Sequence, residues 1–123
     1  MRVHIGPYPR DTDTPRQVSI ELDPHDTWNL DHTLALIIAP ALRRLRDTTH
    51  GFPSDFHRDD DPDGEAGMTA WRATLDKMIA AFESVSSGYD VTDPANAHTH
   101  TAREAALQEG LALFARYYSD LWD

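Results

Sequence analysis

The chain opens on alternation. In Arg2–Tyr8, Val3 and Ile5 point one way and Arg2 and His4 the other; in Gln17–Leu22, Val18, Ile20 and Leu22 share a face. A period of two predicts two short strands, and the proline- and aspartate-rich stretch between them predicts a turn, so residues 2–22 read as an antiparallel hairpin. A lone hairpin is marginal in water. It is expected to lie on the helices that follow or to pair with another chain.

From Asp26 the period changes. Leu30, Leu34, Ile37, Ile38, Ala41 and Leu45 recur at three- and four-residue spacing, which predicts a helix over 29–50 with these residues on its core face. Asn29 is placed to cap it. Asp31 falls in its first turn and Arg43, Arg44 and Arg46 near its end, as the helix dipole favours. Gly51 and Pro53 mark its stop. Pro40 lies inside the pattern, at about 3 kcal/mol in lost bonding and steric clash. Because the pattern continues past it, a kinked helix is expected rather than two helices.

Residues 53–67 form an acidic loop carrying Asp55, Asp59, Asp60, Asp61, Asp63 and Glu65. It lacks the calcium-loop spacing and reads as a mobile segment. A second helix is predicted over 68–86 from Trp71, Leu75, Met78, Ile79, Phe82 and Val85, with Gly88 as its stop. A third is predicted over 101–122, with Thr101 and Glu104 as a capping box and Leu107, Leu111, Phe114, Tyr118 and Leu121 as its stripe. Gly110 in its middle implies close approach by another helix, with the first helix near Pro40 as the expected neighbour. Tyr117, Tyr118 and Trp122 near the end are expected to dock on the core or on a partner chain. The fold class that follows is α+β: an N-terminal two-stranded antiparallel hairpin packed on a three-helix array, in one domain over 1–123.

Composition narrows the function more than the fold. Net charge is −10 over 123 residues, which disfavours direct nucleic-acid and anionic-membrane contact. With no cysteine there is no thiolate or disulfide chemistry, and no apolar run is long enough for a membrane span. The N-terminus lacks a signal peptide's apolar core, so a cytoplasmic location is expected.

Candidate chemistry gathers around the first helix. His32, Leu36, Ala39, Arg43, Arg46 and His50 follow helical steps, so histidines and arginines share a face. Arginine forks suit phosphate, and Trp28 is near for stacking. Trp28, Asp31, His32, Arg43, Arg46 and His50 are therefore candidate binding residues for a small anionic ligand such as a nucleotide. Asp26, Asp31, His32 and His50 are alternative ligands for a divalent metal in a hydrolase, although no H-E-x-x-H, nucleophile-elbow or phosphate-loop motif accompanies them. The same polar residues also fit a purely structural hydrogen-bond network. His98 and His100, one residue apart, read as a polar lead-in to the third helix.

The run DTWNLDHTLALIIAPALRRLRDTTHGFP is similar to a motif of an uncharacterised family of tailed-bacteriophage proteins, in which a tryptophan and an Asp-His-Thr-Leu-Ala segment open a helix that closes on His-Gly-x-Pro. The matching positions are Asp26, Thr27, Trp28, Asp31, His32, Thr33, His50, Gly51 and Pro53. The entry strand RVHIG, the helix WRATLDKMIAAFE and the ending GLALFARYYSDLWD extend the resemblance over most of the chain. Two insertions of the family are missing here, and arginines replace its lysines at 43, 44 and 46. The resemblance implies a phage accessory protein in the host cytoplasm and assigns no reaction. The leading expectation is a non-catalytic small-ligand binder without a cofactor, one that sequesters a nucleotide immune signal of the host and assembles as a homo-oligomer through the hairpin or the C-terminal aromatics. The alternatives are the metal-dependent hydrolase and an acidic module that inhibits a host protein.

Overall fold

The computed structural model describes residues 1–87 and 93–123. Its hairpin joins β1 (Arg2–Ile5) to β2 (Val18–Glu21), antiparallel, with Val3 opposite Ile20 and Ile5 opposite Val18. Directly opposed residues lie on one face, so these four aliphatics form an apolar face and Arg2, His4, Ser19 and Glu21 the polar one. The strands are shorter than the alternating stretches, because Gly6-Pro7 and Pro9 end the first ladder.

Three helices follow: α1 (Leu30–Thr48), α2 (Glu65–Ser86) and α3 (His100–Tyr117). The α+β class and the order of elements are as the patterns predict. Helix α2 is the middle member and packs on both α1 and α3. Its inward residues Trp71, Leu75 and Met78 are the largest fully buried side chains. Phe56, Trp71 and Tyr117 form an aromatic cluster with ring centres 5.5–5.7 Å apart. The tyrosine hydroxyl leaves this cluster to donate to Asp55.

As expected, α1 is one helix that continues through Pro40, which lies on an exposed flank. Several other local expectations are corrected. Asn29 holds the N-cap position with no side-chain bond; its carbonyl accepts from Thr33 instead. Helix α2 starts three residues early, because Gly64 adopts φ +73° and the Asp61 carboxylate accepts from the Ala66 and Gly67 amides. Part of the acidic loop is thus an ordered helix cap, and Ser54–Phe56 forms a short 3-10 turn. Helix α3 starts at His100 after Thr99, without the Thr101–Glu104 capping box, and gives way to a 3-10 turn at Tyr118–Asp120. Gly110 meets α2 rather than α1: a Cβ there would stand 2.4 Å from the Cβ of Ala81. The stop expected at Gly88 falls outside the described residues.

The largest correction concerns which side of α1 faces inward. Ala35, Ala39 and Leu42 are buried, with Ile38 and Leu45 beside them. Leu30, Leu34, Ile37 and Ala41 are exposed. At 100° per residue the inward direction lies about 90° away from the centre of the expected stripe. Alanines let α1 approach α2 closely, and that proximity sets the rotation.

Candidate functional site

Most of the polar residues at the ends of α1 have structural partners. At the entry, Asp23 and Asp26 cap one short 3-10 turn reciprocally: Asp23 accepts from the His25 amide, and Asp26 accepts from the Asp23 amide. The α-ammonium of Met1 lies 3.0 Å from Asp26 and ties the hairpin to this turn. The Asp23 amide first, and then the Met1 ammonium, hold the Asp26 carboxyl below its ordinary range. Trp28 is 74% exposed, with its ring edge-on to His25. At the exit, the Asp123 carboxylate accepts from both the backbone amide and the ring of His50, which holds its own pKa down.

The cationic face is arranged differently from an open anion groove. Arg43 pairs with Glu83, and Arg46 donates to Asp76 at 2.7 Å and to Asp47 at 3.1 Å. Both interhelical partners lie on α2. The His32 ring lies 3.1 Å from the Ser86 carbonyl, also on α2. Asp31 stands exposed at the rim of a different recess, beside His100 and Arg103. His32 lies in the first turn of α1 and His50 beyond its end; the sixteen steps from His32 to Thr48 alone span roughly 24 Å at 1.5 Å per residue. The structure thus brings His32, Arg43 and Arg46 onto the α1–α2 seam and leaves Trp28, Asp31 and His50 apart from them. Among the described residues, no three histidine, aspartate or glutamate side chains gather in a metal-holding group, and Asp26, Asp31, His32 and His50 do not converge. No described helix is long and apolar enough to cross a membrane.

What the molecule presents openly is apolar. The hairpin face of Val3, Ile5, Val18 and Ile20 is 42–59% exposed, so it does not lie on the helices. Leu22, Leu30, Leu34 and Ile37 are exposed as well. Beside Ile37 an open groove of about 270 Å³ runs between α1 and α3, lined by Ile38, Ala41, Leu45, Phe114 and Leu121 among others. From His32 to Leu42 there is no Asp, Glu, Lys or Arg, in a chain with 26% charged residues. The signal for this surface was present in the sequence: Leu34 to Ala39 are apolar without a break, so the helix has apolar residues on every side rather than one stripe. Of the C-terminal aromatics, Tyr117 docks in the core and Tyr118 and Trp122 stay exposed.

No family model, curated protein or solved structure matches the chain.

Proposed function

We propose that the chain is a non-catalytic binding protein whose working surface is the charge-free apolar skin of the hairpin and the outward side of α1. One observation carries the reading: α1 buries Ala35 and Ala39 and exposes Leu30, Leu34 and Ile37. Exposed apolar area of this extent marks a contact surface for another macromolecule. A small anionic ligand at Arg43 and Arg46 would have to displace Glu83 and Asp76 first, which favours a protein partner over a nucleotide. The resemblance of Asp26–Pro53 to a motif of tailed-phage proteins is in keeping with an accessory role of this kind in a host cell.

A photo-crosslinking residue at position 37 tests the reading. Irradiation of producing cells is expected to give a covalent protein adduct from position 37 and none from position 72, an exposed site on α2. Absence of any protein adduct at position 37 refutes it.

A further inference from the structure

The apolar surface has two parts that match each other but do not meet within one chain. The hairpin face stands open, and so does the groove between α1 and α3. We infer that the occupant is a second copy of the chain: two α1 helices pack antiparallel about a two-fold axis near Ile37, and the hairpin of each copy covers the α1–α3 groove of the other. The inference rests on the binding role proposed above and names its partner.

Axial position supports the exchange. The hairpin leaves from the N-terminal end of α1, beyond Leu30. About a two-fold at Ile37, the level of Leu30 in one copy meets the level of Leu45 in the other, since both lie roughly 10–12 Å from the axis at 1.5 Å per residue. Leu45 lines the groove. The same operation brings Leu34 of each copy opposite Ala41 of the other, a large residue against a small one. A two-fold interface of this kind uses one patch on both subunits, as most dimers do.

Charge points the same way. Each copy carries −10, so most pairs of facing surfaces would oppose like charges. The outward side of α1 over residues 32–42 and the apolar hairpin face carry no charged side chain. Two copies can meet there without that cost. Area is adequate too. A fully exposed aliphatic side chain presents on the order of 100 Å². Val3, Ile5, Val18, Ile20, Leu22, Leu30, Leu34 and Ile37, each about half exposed, therefore offer roughly 400 Å² per copy. Because little more than half of a typical interface is apolar, this corresponds to roughly 700 Å² per partner, close to the standard size of about 800 Å². The hairpin gives the final reason. Two strands with an uncovered face are marginal alone, and a second copy is the partner always present where the chain is made.

Sedimentation of the purified full chain, with cysteine cross-linking, tests this. The chain has no cysteine of its own. The expected species has twice the 13.9 kDa chain mass. Ile37→Glu is expected to shift it to monomer while keeping the helical circular dichroism signal. Mixing differently tagged Ile5→Cys and Leu45→Cys chains is expected to give a disulfide joining one tag to the other. A monomer at about 100 μM overturns the inference; a protein adduct at position 37 in cells would then leave the proposed binding role standing with a different partner. A dimer that gives no Ile5→Cys to Leu45→Cys link overturns the hairpin exchange.

Discussion

Gly110→Ala is the sharpest perturbation of the helical body, because two known effects oppose each other. On an isolated helix, alanine gains about 1 kcal/mol over glycine. Here the new Cβ would stand 2.4 Å from the Cβ of Ala81 and 2.6 Å from the Lys77 carbonyl oxygen, both on α2. Comfortable carbon–carbon separation is about 3.5–4 Å. The obstacle includes backbone, so α3 must move away by more than an ångström. That movement loosens the Phe82–Phe114 and Trp71–Tyr117 ring contacts, now at 4.9 and 5.5 Å. Overpacking of this kind costs about 1–3 kcal/mol before relaxation losses, so steric cost wins over propensity. The expected net loss is about 1–2 kcal/mol. Urea unfolding followed by circular dichroism, at one fixed protein concentration, measures it. Gly51→Ala serves as the control: nothing lies within 4 Å of its Cβ, and stability is expected to change by less than about 0.5 kcal/mol. A Gly110→Ala chain as stable as the parent would refute the close approach of α3 to α2.

Three further outcomes are expected. Trp71→Ala, at a site 1% exposed between Phe56 and Tyr117, should lose about 3–5 kcal/mol in the same urea assay. Tyr117→Phe removes the hydroxyl bonded to Asp55 but keeps the ring, and should lose about 1 kcal/mol; a loss near that of a ring deletion would mean the hydroxyl, not the packing, holds α3. Asp61→Asn should lower the thermal midpoint at neutral pH, with a pH signature. The Gly67 amide first, then the Ala66 amide, hold the Asp61 carboxyl below its ordinary value. Its contribution is therefore present above the unfolded value near 3.9 and lost as pH falls through the folded value. The gap between variant and parent should narrow below about pH 4, and a gap independent of pH would remove Asp61 as the charged cap of α2.

How much of this was legible in the sequence varied by element. The hairpin, its register face and the inward stripe of α2 followed from period alone, because Trp71, Leu75, Met78, Ile79 and Phe82 form a single apolar stripe. Helix α1 misled because its apolar residues extend around it; periodicity finds the most hydrophobic side, whereas contact with α2 selected the small residues Ala35 and Ala39. Gly110 was recognisable as a close contact, but its partner was not, since a missing side chain does not say which helix comes near. Among the site residues, the pairing of Arg43 and Arg46 depends on Glu83 and Asp76 thirty to forty positions away. No local spacing reveals that pairing. The cap at Asp61 was hidden for the same kind of reason: the run of acidic residues looked uniform until one carboxylate met two amides.

The rotated setting of α1 has a consequence for tolerated change. The helical body constrains Ala35, Ala39 and Leu42 by close packing and places no comparable demand on Leu34 or Ile37. In a saturation library sorted only for folded chains, the first three positions should stay narrow and the last two should drift to polar residues. Any pressure that keeps leucine at 34 and isoleucine at 37 must then come from outside the fold. The two helix sides therefore report separately on two selections, one for folding and one for contact.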